Sequence, residues 1–318
     1  MSIQNKYNHL LILSQEYEVY KCLISQAHLP GLSILATNNI DEALHEGSQC
    51  NLLFGEPSRV CLVINRFPGL RWVQTTWAGV EPLITAGLRR DYLLTNARNV
   101  YGPMMSEYVF GYLLAIERQI PSRWQSQQSA IWDGTTPGSL RGKLLGLLGV
   151  GTIGSHLAAT AKHFGMQVYG YTRQTEQCRD IDRYFHGENW KEFASPLDYV
   201  VCTLPGTEQT RGLIGTSFLA KLPQKAWLVN VGRGSTVDEA ALVAALSHRS
   251  ISGAVLDVFI QEPLPPGHPL WNTPNTFITS HTAARNFLPD IARLFIENYL
   301  RFTAGQPLLY QVDFDQGY

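Results

Sequence analysis

With 318 residues, 45% apolar and 16% charged, the chain is long enough for two domains with separate cores and too apolar for a disordered protein. The formal net charge is -1 and no Lys/Arg cluster stands out, which excludes a nucleic-acid groove or a polybasic membrane patch and points to small-molecule partners. Cys22, Cys50, Cys61, Cys178 and Cys202 are odd in number and scattered, without a C-x-x-C pair or a histidine at ligand spacing, so reduced, buried thiols and no metal site are expected.

The polar start, residues 1–9, precedes only four apolar residues, 10–13, too few for a signal segment or a membrane span. A cytoplasmic protein is expected. Short apolar strands follow at residues 10–13, 33–36, 51–54, 72–74 and 92–95, with a helix at 16–27, which reads as a small α/β unit with a parallel sheet. Residues 96–101 lead through Gly102-Pro103 into a helical pattern at 106–120, an element crossing into a second domain, with the boundary near Asn99.

The densest information lies at Leu144–Gly154, where an apolar strand (144–150) runs into Gly149, Gly151 and Gly154, spaced G-x-G-x-x-G, and then into a helix at 155–164. The first glycine permits a tight turn, the second lets backbone N–H groups approach a pyrophosphate, and the third lets the helix pack against its strand. Further strands at 167–172, 199–204, 227–231, 252–258 and 276–279, with a helix at 238–247, complete a doubly wound sheet. A last helix at 288–302 is expected to return to the first domain.

Three polar residues fall where open α/β sheets place ligands, just beyond the carboxyl ends of strands. Arg233 stands between two glycines in Val229-Asn230-Val231-Gly232-Arg233-Gly234, and its guanidinium fork suits a substrate carboxylate. Glu262 lies in Asp257-Val258-Phe259-Ile260-Gln261-Glu262-Pro263 and His281 in Ser280-His281-Thr282-Ala283-Ala284. A carboxylate beside an imidazole favours the protonated ring and fixes its tautomer, so the pair can deliver a proton near neutral pH.

In this order the segments resemble the D-isomer-specific 2-hydroxyacid dehydrogenase family over nearly the whole chain, through the glycine fingerprint, N-V-G-R-G, L-D-V-F-x-x-E-P and S-H-T-A-A, and within it the glyoxylate/hydroxypyruvate reductase branch. The resemblance implies a Rossmann-type doubly wound domain at 99–285, binding the dinucleotide, inserted in a smaller flavodoxin-like α/β substrate domain formed by 1–98 and 286–318. It also implies that Arg233 anchors a 2-oxo acid, that His281 is the general acid of ketone reduction, and that Glu262 supports it. Asp257 would hold the nicotinamide carboxamide. Cofactor contacts would come from Gly149, Gly151, Thr152, Ile153, Gly154, Leu204, Pro205, Val231 and Gly232. The stretch Val73–Glu81 is similar to the family loop whose backbone N–H groups at Ala78 and Gly79 receive the substrate carboxylate, with a helix from Glu81 offering its N-terminus nearby. An arm over 117–138, carrying Trp124 and Trp132, is implied to pack on a second subunit, so a homodimer is expected, with no nucleic-acid or membrane partner. One departure stands out: Leu204-Pro205-Gly206-Thr207 lacks the histidine often present before the proline, and activity is expected to survive it.

About twenty residues past the glycines, where an NAD-selective site carries an acid, the chain reads Tyr171-Thr172-Arg173. Thr172 can bond a phosphate oxygen and Arg173 can pair with its charge, so NADP(H) is expected over NAD(H). The reading is a reductase of a small 2-oxo acid, glyoxylate or hydroxypyruvate, acting in a crevice between the halves. A dehydrogenase for a bulkier 2-hydroxy acid and a dinucleotide-sensing, co-repressor-like binding module are the alternatives.

Overall fold

A computed structural model describes residues 7–173, 176–285 and 287–316. The chain forms two compact units, Met1–Val100 with Asn286–Tyr318, and Tyr101–Arg285. The sequence boundary between residues 98 and 99 lies two residues ahead of this division.

The first unit opens with β1 (Asn8–Leu13), α1 (Tyr17–Ser25), β2 (Leu32–Thr37), α2 (Ile40–Glu46), β3 (Leu52–Gly55), α3 (Pro57–Val63), β4 (Trp72–Thr75) and β5 (Leu93–Thr95). These strands pair in parallel in the order β2-β1-β3-β4-β5. Leu10 to Leu13 are fully buried without alternation, as a central strand covered on both faces requires. The helix expected from Glu81 is a single 3-10 turn, Glu81–Leu83, with Pro82 in it, so no helix N-terminus stands there.

In the second unit, α4 (Gly102–Glu117) starts four residues before the predicted helix, Pro103 occupying its first turn where no N–H is missed. It ends at Glu117 because Gln119 turns left-handed (φ 56°) ahead of α5 (Ile120–Gln128). Then come β6 (Leu144–Leu148), α6 (Thr152–His163), β7 (Gln167–Tyr171), β8 (Arg183–Phe185), α7 (Trp190–Ala194), β9 (Tyr199–Cys202), α8 (Thr216–Leu219), β10 (Trp227–Asn230), α9 (Glu239–Ser247), β11 (Gly253–Leu256) and β12 (Thr276–Ile278). The seven parallel strands lie in the order β12-β11-β10-β9-β6-β7-β8.

Strand side chains alternate between two cores. Leu145, Leu147, Val201, Val229 and Val255 join Val109, Leu113, Leu157 and Ala161 of α4 and α6. Leu148, Val200, Cys202, Leu228 and Leu256 join Phe193, Phe218, Leu242 and Leu246 of α7, α8 and α9. The chain runs outward from β6 to β8, then returns to β9 on the other side of β6, so the direction of winding reverses between β6 and β9, where the connections diverge and leave an opening for a ligand.

The last helix, α10 (Leu288–Thr303), belongs to the first unit. Phe295 stacks on Trp72 with centroids 5.2 Å apart, and the buried Asn298 donates to Gln74 Oε1 at 3.0 Å. All five cysteines are free, but only Cys50 and Cys202 are buried. The expectation of buried thiols fails at Cys22, which sits exposed on α1. Burial pushes the Cys50 thiol up to about 11.

Candidate active site

At the reversal point three glycines meet three different demands. Gly149 has φ +96°, open to a glycine and strained for any other residue, and this turn ends β6 two residues before the sequence pattern does. A Cβ on Gly154 would lie 2.3 Å from the Gly149 carbonyl oxygen, so α6 rests directly on its strand. A Cβ on Gly151 would meet nothing within 4 Å, which marks a backbone facing open space. Gly151 is also the N-cap of α6 and offers no side-chain cap, so the first-turn N–H groups of Thr152, Ile153 and Gly154 have no side chain of the cap to satisfy them. This cradle fits an anionic diphosphate.

The neighbouring loops lie side by side. Gly149 faces Thr203 Oγ1 and Leu204 of the loop after β9, and Thr203 Oγ1 donates to the Gly149 carbonyl at 3.1 Å, with Pro205 next in chain. Gly232 packs within 2.6 Å (as a Cβ) of the Leu204 carbonyl, and Gly234 within 1.9 Å of the Phe259 backbone. Small residues are therefore required where the loops after β9, β10 and β11 touch.

Arg233 is presented by a bend that Asn230 enforces. Asn230, 1% exposed, accepts from Gly232 N and donates to the Arg233 carbonyl, both at 3.1 Å, looping the chain over Val231. Thr236 Oγ1 adds a 2.7 Å bond to the same carbonyl, and Arg233 Nη1 donates to the Gly232 carbonyl at 2.9 Å.

His281 and Glu262 meet directly: Nδ1 donates to Glu262 Oε2 at 2.7 Å. The other carboxylate oxygen accepts from Phe259 N at 2.9 Å, so the carboxylate is fixed to its own loop. With Nδ1 committed, Nε2 is the ring nitrogen left to exchange a proton with a ligand. The imidazole is half exposed, at 52%. His281 also has φ +55°, a left-handed backbone that costs a non-glycine residue about 1–2 kcal/mol. Asp257 holds it there. Its backbone carbonyl accepts His281 N at 2.8 Å, while its carboxylate accepts Thr282 N at 2.8 Å and Ala283 N at 3.0 Å. Asp257 is 1% exposed, and its third carboxylate bond comes from Thr279 Oγ1 at 2.5 Å. Three of about four acceptor positions are thus used within the chain.

In the first unit, Ala78 and Gly79 follow β4 in a turn whose carbonyls face inward: Ala97 N donates to Trp77 O at 3.1 Å and Asn96 Nδ2 to Ala78 O at 2.7 Å. One strand in from the β8 edge of the second unit's sheet, Thr172 and Arg173 follow β7. A cavity of about 330 Å³ opens beside Leu148 and Tyr171, walled by Trp190 and Phe218. Among the described residues, no three His, Cys, Asp or Glu side chains converge as metal ligands.

A family model described as "D-isomer specific 2-hydroxyacid dehydrogenase, NAD binding domain" matches residues 110–283. The chain is 31% identical over 259 residues to a glyoxylate/hydroxypyruvate reductase A of Photorhabdus laumondii, covering 79% of this chain and 82% of that one. A crystal structure of a D-isomer-specific 2-hydroxyacid dehydrogenase family protein from Aeromonas salmonicida superposes with TM-score 0.91 at 41% identity, covering 97% of this chain and 99% of that chain. Another, from Xanthobacter autotrophicus Py2 in complex with NADPH and MES, gives TM-score 0.86 at 31% identity, covering 98% and 100%. The chain belongs to the D-isomer-specific 2-hydroxyacid dehydrogenase family. It is an NAD(P)-dependent oxidoreductase of the glyoxylate/hydroxypyruvate reductase-like branch.

Sequence reasoning missed part of what holds the site of this dehydrogenase together. Tyr108 of α4 bonds Thr279 Oγ1 at 2.6 Å, and since Thr279 gives its single hydroxyl hydrogen to Asp257, Tyr108 is the donor. Burial pushes the Tyr108 phenol well above its ordinary range, which keeps it a donor. Nothing in the sequence separates this tyrosine from the other aromatics of the helix. Glu239 was also unsignalled: it accepts from Ile260 N at 2.9 Å and lies 3.3 Å from His268 Nε2, bracing the loop that carries Glu262.

Proposed function

We propose that the protein reduces glyoxylate or hydroxypyruvate to the 2-hydroxy acid, of D configuration where the product is chiral, with NADPH preferred over NADH. The observation that carries this is the 2.7 Å bond from His281 Nδ1 to Glu262, which orients the imidazole and leaves Nε2 for the substrate. In the reduction, the charged imidazole donates its Nε2 proton to the carbonyl oxygen and stays neutral with hydrogen on Nδ1, still bonded to Glu262. Arg233 grips the carboxylate through its fork and opposes the negative charge that builds on the neighbouring oxygen. The Ala78–Gly79 turn is assigned to the same carboxylate on the sequence resemblance alone. Bound reduced nicotinamide supplies the hydride for the carbonyl carbon. Gly149, Gly151, Thr152, Ile153 and Gly154 would hold its diphosphate, Leu204, Pro205, Val231 and Gly232 would line its path, and Asp257 would spend its remaining acceptor position on the carboxamide. Thr172 and Arg173 would meet the 2′-phosphate.

Loss of NADPH absorbance, measured with a panel of 2-oxo acids of increasing side-chain size and repeated with NADH, tests the proposal. Turnover limited to bulky acids would replace the substrate assignment. Binding of NADPH without turnover of any acid would favour the co-repressor-like module.

The protein is further proposed to work as a homodimer. Ile120, Trp124, Ile131 and Trp132, the last 98% exposed, follow one another along α5 and the stretch after it, an apolar set that a second copy would cover. Sedimentation at micromolar concentration is expected to give twice the chain mass, and Trp132→Glu combined with Trp124→Glu to give monomers. A monomeric wild-type protein removes this assignment.

A further inference from the structure

The edge strand β8, which the sequence pattern does not reveal, is followed directly by His186. Tyr171 pairs with Phe185 in the β7–β8 register, and Thr172 N donates to the Phe185 carbonyl at 3.1 Å. That register sets His186 against Thr172. Nδ1 of His186 lies 2.7 Å from the Thr172 carbonyl oxygen and Nε2 lies 2.5 Å from Glu176 Oε1. Both partners are acceptors, so both ring nitrogens must carry hydrogen, and the arrangement requires the imidazolium form. The ring stacks on Tyr184 with the planes 5° apart, and the Tyr184 hydroxyl in turn bonds the N–H and carbonyl of Cys178.

Resting on the NADPH reading of Thr172 and Arg173, we propose that His186 is the positioning residue that sets selectivity for the 2′-phosphorylated dinucleotide, by holding Thr172 and neutralising Glu176, which lies three residues past Arg173 in the chain. Glu176 is the only kind of group that would spoil this place for a phosphate, because an acid here repels the 2′-phosphate and accepts from the free ribose hydroxyls of NADH instead. Paired with a charged imidazole it does neither. When the ring loses its second proton, one of the two bonds is lost and the carboxylate stands unmatched, a negative charge that opposes the 2′-phosphate.

The proton is held more firmly than in an ordinary histidine, first by the hydrogen bond to Glu176 and then by the carbonyl of Thr172. The other titratable groups around the ring and its partners are Tyr184, stacked on it, Cys178, whose backbone bonds the Tyr184 hydroxyl, and Tyr171 with Glu188 beside it; Arg173 adds a backbone hydrogen bond to the ring. The sign follows: NADPH selectivity is full below the raised imidazole pKa and falls as pH rises through it. The 2′-phosphate gains charge over the same interval, which works in the opposite direction and is common to every variant.

The test is the Kd of NADPH and of NADH by fluorescence titration without substrate, together with kcat/KM for each cofactor, from about pH 5.5 to 9, in the wild type, His186→Gln and Glu176→Gln, the ratio being read from both. Proton delivery by His281 cancels in the ratio of the two cofactors. Measured against Glu176→Gln, which carries only the change due to the 2′-phosphate, the wild-type ratio is expected to fall on the order of fivefold with rising pH, the scale of an exposed charge pair, through the KM for NADPH. His186→Gln is expected to run parallel to Glu176→Gln at the lower level, with the wild type passing from the upper profile to the lower one. A wild-type profile that stays parallel to Glu176→Gln at every pH, or a His186→Gln profile that overlays the wild type, overturns the proposal. A ratio favouring NADH at every pH in all three proteins overturns the NADPH reading itself. Should His186→Gln fail to fold, a Glu176→Gln ratio that keeps the wild-type slope is sufficient to reject the inference.

Discussion

The two ends of the second unit's sheet carry polar side chains in opposite ways. At the amino ends of β6, β9 and β10, Glu117, Lys143, Asp198 and Lys225 pair with one another. Asp198 accepts from Leu144 N at 2.8 Å and lies 2.6 Å from Lys225 Nζ, and Glu117 accepts from the Tyr199 hydroxyl at 2.6 Å with Lys143 at 3.4 Å. A cavity of about 250 Å³ opens there, but its polar lining is spent on itself. At the carboxyl ends the chain instead places glycines, a left-handed His281 and an imidazole with one nitrogen uncommitted by its carboxylate partner. Polar density alone therefore does not mark a site, and a left-handed residue alone does not either, since Gln119 beside the amino-end cavity has φ +56°; an unspent hydrogen-bonding position does.

The sharpest way to break this contrast is His281→Gly. The substitution removes the proton donor and also the side-chain penalty at φ +55°. kcat is expected to fall on the order of 10²–10⁴-fold, while the unfolding free energy rises by about 1 kcal/mol. Steady-state kinetics and denaturant unfolding on the same preparation decide it. If stability drops along with activity, the backbone at His281 stores no strain that glycine relieves. The converse experiment is Asp198→Ala at the other end. Leu144 N loses its acceptor and two lysines lose their carboxylate, at a cost of about 2 kcal/mol, while kcat/KM stays within about twofold. A large loss of kcat/KM in a folded Asp198→Ala protein would mean that the amino end takes part in the reaction.

What could be read in advance divides along the same line. The glycine loop was legible because the backbone's demands select the residue type directly: positive φ at Gly149, open space at Gly151 and a 2.3 Å approach at Gly154. Arg233, Glu262 and His281 were legible as segments, each just past a strand. The sheet's central strands were legible from their apolar runs, but the three-residue edge strand β8 and the four-residue α8 are too short to leave a period. The turn at Glu81 looked like a helix because its Pro and Leu fit a helix start, and only three residues follow that pattern before it breaks. Tyr108, Asn230 and His186 were beyond reach because each acts on a residue brought to it by strand order or helix packing, information that exists only once the chain is folded.

Tyr108 supplies the smallest effect and the finest test of the carboxyl end. Its hydroxyl donates to Thr279, whose hydroxyl donates to Asp257, so Tyr108→Phe removes the first member of a relay and leaves the second in place. Asp257 still receives Thr282 N and Ala283 N, so the left-handed turn at His281 should persist. The expected cost is about 1 kcal/mol of stability for one lost hydrogen bond, with kcat reduced no more than severalfold. Thr279→Val severs the relay at Asp257 itself and should cost more in kcat than Tyr108→Phe, because the carboxylate then loses a partner. If Tyr108→Phe instead matches the loss seen with His281→Gly, the phenol must touch the reacting atoms rather than steady the turn beside them.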